Sequence, residues 1–163
     1  MEGLAIRKIT DELALKISLQ VIREAFSTVA VSFALTAETA PTHPAFIDEA
    51  RLGQLKNKGA MLFGVFLETQ QIGFVAVEKS DEAIYYLEKL AVLPPYRRQG
   101  VGTKIMNFAC SYVRQIGGTK LSIGIMNENT MLKRWYQDYG FLEIGSKKYQ
   151  HLPFSVCFME KSL

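Results

Sequence analysis

Apolar residues change their period near residue 60. Before it, Leu15, Leu19, Ile22 and Phe26 recur at helical spacing, behind a short apolar strand at 4–9. Thr10-Asp11 can cap that helix. The run 29–35 is apolar without a period and predicts a bend. Residues 39–44 read as a loop, and a second helix is predicted over 44–56 with Phe46, Ala50 and Leu55 inward. From residue 61 the pattern becomes strand-like. Runs at 61–67, 72–77 and 84–93 predict a meander with turns at Gln70-Gln71 and Ser80-Asp81. Val101, Ile105, Phe108, Tyr112 and Ile116 return to helical spacing, and Gly117-Gly118 ends that helix. A strand follows at 121–126. Since a helix separates it from 84–93, the two should lie parallel through a crossover. Asn129 or Thr130 caps a short helix that stops at Gly140, and 141–144 with 154–159 read as a closing antiparallel pair. The order predicts a mixed α/β (α+β) architecture, with residues 1–163 as one domain, since no repeat, low-complexity segment or linker interrupts it.

Composition narrows the function. The chain is 48% hydrophobic and 21% charged, with a net charge of +3, and no basic run or stripe marks a nucleic-acid partner. No apolar run reaches membrane-spanning length, and an acid at Glu2 argues against a signal peptide, so no membrane partner and a cytoplasmic location are expected. Cys110 and Cys157 read as small buried hydrophobes. No His/Cys cluster has metal spacing, so no metal is expected.

The chemistry concentrates between Leu90 and Gly102. Pro94-Pro95 stops a strand, and Gly100 and Gly102 open a helix. A glycine pair there lets ligand approach the backbone, and the free N–H groups favour an anion. Arg97 and Arg98 add positive charge, so a phosphate or pyrophosphate is the simplest ligand. A dinucleotide fingerprint would need glycine at position 105, which is Ile, and no Walker A run exists.

The run Arg97-x-x-Gly100-x-Gly102 after a strand and a proline resembles the GNAT acyltransferase superfamily. Downstream, Asn129, Leu132, Tyr136 and Gly140-Phe141 are similar to a second motif of that family, with Leu132 in place of a smaller residue. The matching region is about half of the chain, from Ile84 onward. The resemblance implies a central mixed, mostly antiparallel sheet flanked by helices, with two splayed parallel strands. It also implies acetyl-CoA, or coenzyme A, as co-substrate without a metal, and an N-acetyltransferase acting on a small-molecule or peptide amine. Many relatives pair through their sheets, which leaves a homodimer open.

By the same resemblance Arg97, Arg98, Gln99, Gly100, Val101, Gly102 and Thr103 hold the pyrophosphate. Leu90, Ala91 and Val92 offer backbone to the pantetheine arm. Asn129 touches that arm, though as a helix cap it needs no ligand to explain it. Tyr136 becomes the general acid for the departing thiol. The stripe Leu132, Trp135, Tyr136, Tyr139 by itself reads as core packing, and Tyr139 is the alternative acid. Strand alternation puts Tyr86, Glu88, Leu90 and Val92 on one face, where Glu88 is the only carboxylate and the candidate base. A solvated Glu88 paired with Lys89 explains it as well, and a bulge would break the alternation. The acceptor pocket is expected around Phe33, His43, His151 and Phe154. Cys110 lies inside a helix without a neighbouring histidine, so direct transfer in a ternary complex is favoured over an acyl-enzyme. Two other readings stay open: a silent acyl-CoA-binding sensor, and a nucleotide-binding α/β protein.

Overall fold

The computed structural model describes residues 1–163. In chain order the elements are β1 (Leu4–Lys8), α1 (Glu12–Ser32), α2 (Glu49–Asn57), β2 (Met61–Leu67), β3 (Gln70–Lys79), β4 (Ile84–Val92), α3 (Val101–Gln115), β5 (Lys120–Met126), α4 (Thr130–Tyr139), β6 (Leu142–Lys148) and β7 (Ser155–Ser162). The seven strands form one sheet in the order β1-β2-β3-β4-β5-β7-β6. Every neighbouring pair is antiparallel except β4 and β5, which the α3 crossover makes parallel. This is the mixed, mostly antiparallel α/β sheet expected. No helix is long and apolar enough to cross a membrane.

Local chemistry sets the helix limits. Asp11 caps α1, its carboxylate accepting from the Ala14 amide at 2.8 Å. The helix runs on through most of the aperiodic stretch and ends just before Ala34, which takes φ 53°. The second helix begins later than its apolar spacing predicts. A 3-10 turn at Pro44–Phe46 comes first, and Asp48 then caps α2 by accepting from the Arg51 amide at 2.8 Å. That cap resets the phase, so Leu52 and Leu55 turn inward and Ala50 faces solvent.

Two apolar layers sandwich the sheet. Tyr85, Leu87 and Val92 of β4 pack with Val101, Ile105 and Val113 of α3 on one side. Phe74, Ala76 and Ala91 pack with Ile22 of α1 and Leu52 of α2 on the other. The switch from odd to even numbering on the α3 side marks a β-bulge. Phe74 faces Ala91 while Ala76 faces Glu88, so Lys89 and Leu90 stand opposite the single residue Val75. Lys89 sits in the left-handed region at φ 53°, a conformation that costs a side-chain-bearing residue about 1 kcal/mol.

The bulge governs what happens next to it. β4 and β5 pair only as Ile84–Lys120, Tyr85–Leu121 and Tyr86–Ser122. Beyond Tyr86 they separate, while each keeps its other neighbour, β3 and β7.

The paired base of the split depends on Gly118, between α3 and β5. A Cβ there would fall 2.2 Å from Val113 Cγ1 and 2.8 Å from the Tyr85 ring, both buried. Gly118→Ala is expected to destabilise the fold by about 2 kcal/mol through overpacking. In thermal unfolding the midpoint should drop by about 5 °C. An unchanged midpoint would mean that the ring and the valine can move apart freely.

Candidate active site

The gap between β4 and β5 is a cavity of about 460 Å³. Leu87–Leu90 line one wall and Ile123–Met126 the other, with Tyr136 and Asn129 at the α4 side and His43 and Phe154 at the opposite mouth. Both walls are strand edges that have lost a hydrogen-bonding neighbour, so an extended ligand can pair with them as an added strand.

At the end of β4 the chain turns through Pro94–Tyr96 and enters α3. Arg98 takes φ 59° and Gly100 φ 79°, both left-handed. This folds the loop so that consecutive amides converge. The amides of residues 98–103 donate to no group in the protein; the Arg97 amide is bonded to Pro94 and the Lys104 amide to Gly100. A Cβ at Gly100 would meet nothing within 4 Å, so space stands open over the loop. Six free amides at a helix start, with the helix dipole behind them, suit a diphosphate. The Arg98 side chain is exposed and makes no internal hydrogen bond.

Arg97 does something other than its motif position suggests. Its Nε donates to the Val92 carbonyl at 2.9 Å, Nη1 to Thr28 Oγ1 at 2.9 Å and Nη2 to the Ala25 carbonyl at 2.5 Å. The guanidinium therefore ties the end of β4 to the middle of α1. Its charge is spent there, which corrects the expectation that both arginines supply the cradle.

α4 sorts its aromatic stripe into distinct jobs. Asn129 caps the helix, its side chain accepting from the Leu132 amide at 3.2 Å, and still lines the cavity. Tyr136 is buried at 5% exposure, with its ring edge-on to Trp135 and Phe141. It reaches the cavity wall, and burial pushes its phenol well above the ordinary range. Tyr139 faces away: its hydroxyl bonds Asn107 of α3, and burial pushes its phenol up to about 12.

On β4 the bulge separates residues that simple alternation would group. Glu88 shares its face with Tyr86 and Ala91, whereas Leu90 packs with Val92 toward α3. Glu88 nevertheless opens into the cavity, because it stands where the strand swings outward. Burial raises its carboxyl above the usual carboxylate range; the Lys89 charge pulls it down and nearby Glu78 raises it further. Burial lowers the Lys89 ammonium, opposed by Glu88.

The expected acceptor residues divide. His43 and Phe154 line the cavity; Phe33 packs against the cluster of Ala30, Leu35 and Phe154 without lining the cavity, and His151 is exposed and away from it. His43 is 7% exposed, and burial followed by the Lys89 charge lowers it to about 4. Its Nδ1 accepts from the Ala45 amide at 3.2 Å, so the neutral ring carries its proton on Nε2. Nε2 can donate to a ligand in the cavity. Cys110 and Cys157 are buried and burial raises both thiols, so neither is a ready nucleophile. No cluster of three or more His, Cys, Asp or Glu side chains is placed to hold a metal ion.

Residues 23–141 match the family model described as the GNAT acetyltransferase family. The chain belongs to that family. As a GNAT protein it is an acyltransferase. Its fold is similar to the PaiA N-acetyltransferase of Thermoplasma acidophilum, solved with coenzyme A, at TM-score 0.81 and 19% identity, covering 98% of this chain and 99% of that one. It is also similar to the Escherichia coli ribosomal-protein-S18-alanine N-acetyltransferase, at TM-score 0.76 and 15% identity over 98% and 93% of the two chains. An Elizabethkingia anophelis GNAT acetyltransferase with acetyl-CoA bound aligns over 100% of both chains, at TM-score 0.68 and 15% identity. A search of curated proteins finds no significant match.

Within this GNAT fold, sequence reasoning overlooked two parts of the site. The β5 wall carries no motif; it lines a cavity only because pairing stops at Ser122. Lys89 also projects into the cavity, and its one sequence signal is a lysine set in an apolar strand.

The Arg97 clamp gives a test that separates charge from geometry. Arg97→Lys keeps the charge and loses the fork that reaches Val92, Thr28 and Ala25 together. It should cost about 2 kcal/mol in chemical denaturation, in line with hydrogen bonds to charged groups. A lysine variant as stable as the parent would show that only the charge matters.

Proposed function

We propose that this GNAT protein is an N-acetyltransferase moving an acetyl group from acetyl-CoA to a primary amine of a small molecule or peptide, by direct transfer in a ternary complex. The observation that carries this reading is the parting of β4 and β5 beside six unbonded amides, with a phenol and a carboxyl opening into the gap.

The amides of residues 98–103 and the exposed Arg98 guanidinium would hold the pyrophosphate. The free edge at Leu90, Ala91 and Val92 would pair with the pantetheine arm, with Asn129 at its side. Bound there, acetyl-CoA supplies an acetyl thioester with an electrophilic carbonyl carbon. The β4 edge also offers backbone N–H groups toward the developing oxyanion. Glu88 accepts a proton from the incoming ammonium. A carboxyl raised by burial is a better base near neutral pH than a solvated one. Tyr136 donates its hydroxyl proton to the departing sulfur. Burial keeps that phenol protonated across the working range, as a donor requires. The buried thiol of Cys110 favours direct transfer over an acyl-enzyme.

Three measurements test the assignment. Tyr136→Phe should lower kcat by about 100-fold, the usual worth of a positioned acid, with the Kd for acetyl-CoA little changed. Unaltered turnover would exclude the acid role. The deprotonated form of Glu88 is the active one, and its pKa is raised, so activity should rise with pH through a limb above the ordinary carboxylate range. Glu88→Gln should lower kcat/KM and abolish that limb; an identical profile would remove Glu88 from the mechanism. Initial-velocity plots should intersect, and parallel lines would restore an acyl-enzyme.

A further inference from the structure

Beside the main cavity lies a second recess of about 200 Å³, walled by Arg51, Gln54, Lys58, Glu78, Glu88 and Lys89 among others. Both spaces are lined by Glu88 and Lys89, so the bulge forms the sill between them.

Five charged side chains surround this recess, and none is paired with another. The ion pairs of the protein are Lys120–Glu160 and Lys133–Glu143, elsewhere on the surface. Oppositely charged groups around a concavity would ordinarily close on one another; here a space keeps them apart. Arg51 is set in advance, with Nη1 donating to the Pro41 carbonyl at 2.8 Å, and the rest of its fork is unengaged. The Lys58 ammonium makes no hydrogen bond, and its position just past α2 leaves it exposed. The Glu88 carboxyl is raised by burial and by Glu78 beside it, and is lowered by the Lys89 and Lys58 charges. Arg51, Lys58 and Lys89 thus outnumber the two carboxylates, Glu78 and Glu88. The recess is electropositive, half-enclosed and next to the candidate base.

We infer that this recess receives the carboxylate of the acceptor, and that the acceptor is a small amino-carboxylate such as a free amino acid. Its carboxylate lies between Arg51 and Lys58, and its amine lies over the sill at Glu88. The volume suits a carboxylate and the carbons nearest to it. A peptide N-terminus offers no carboxylate close to its amine and would leave these cations unmatched. An anion would also compensate Lys89, which burial leaves poorly solvated. The protons balance. An ammonium loses two on becoming an amide nitrogen. One passes to Glu88 and on to water, and the other balances the proton that Tyr136 gives to sulfur as the C–N bond forms and the C–S bond breaks. This inference rests on the acetyltransferase reading above.

Matched acceptors test it: free amino acids, each against its own carboxamide, assayed with acetyl-CoA for thiol release and for product mass. The carboxylate member should be favoured about tenfold or more in kcat/KM, the worth of one charge-assisted contact. Lys58→Gln should collapse that ratio, and it removes no hydrogen bond on which folding depends. Arg51→Gln should collapse it as well. Calorimetric titration of the preferred amino acid into the protein loaded with desacetyl coenzyme A reads binding without turnover, and Lys58→Gln should weaken it by a similar factor. Equal use of carboxylate and carboxamide, preference for peptides, or a ratio untouched in Lys58→Gln would overturn the subsite and leave the acetyltransferase standing. Acetyl-CoA binding without acetylation of any amine, peptides included, would overturn both.

Discussion

The parallel pair β4 and β5 cannot stay together, and the rest of the site follows from that. Val75 faces two residues of β4, so β4 carries one residue more than its antiparallel partner can match. The surplus sits at Lys89 in a left-handed conformation, and the strand bends there. β3 follows the bend because it is bonded to β4 on both sides of the bulge. β5 does not follow, because it is bonded to β7 through Met126. The sheet therefore opens at its one parallel junction, where antiparallel neighbours hold each strand from outside. Closing the gap would require breaking a ladder on one side or the other, so the opening persists without a ligand to wedge it.

The same bulge brings a carboxyl and a phenol together with the backbone edge. Glu88 belongs to the face of α1 and α2, while Leu90 and Val92 belong to the face of α3. A regular strand would put Glu88 and Leu90 on one side of the sheet, and one of them would lie under a helix. Changing face between them lets the carboxyl enter the gap from one layer and Tyr136 from the other. Burial raises both, which keeps the phenol protonated and holds the carboxyl above its ordinary range.

What could be read from the sequence was local. Asp11, Asn129, Gly117 and Gly140 mark helix limits because a cap acts within one turn, and each stands where the chain demands it. The glycines at 100 and 102 declare a close approach for the same reason. The misreadings comprise one overlooked cap and otherwise concern relations across the chain. Ala50 looked inward because Asp48 was not weighed as a cap. Lys89 gave no sign of its backbone conformation, since lysine has no preference for φ above zero, and its position becomes visible only in register with Val75. Phe33 and His151 were grouped with His43 by loop membership, but only His43, held by Phe26 and the Ala45 amide, is fixed against the cavity.

Arg97 shows how a motif can bundle two kinds of work. Its side chain reaches over to α1, with bonds to residues 69 and 72 positions away. Its third bond, to the Val92 carbonyl, fastens the last residue of β4. The loop that follows is thus held at its base by α1, and at its far end by Val101, the buried first residue of α3. Between these fixed points Arg98 and Gly100 take left-handed conformations that turn the amides outward. Gly100 takes this conformation freely, but Arg98 does not, and strain of this kind persists where flanking structure over-determines it. The first arginine of the motif thus braces the loop from behind, with its donors on Val92, Thr28 and Ala25. With its base fixed in this way, the loop keeps its six amides free of any acceptor within the protein.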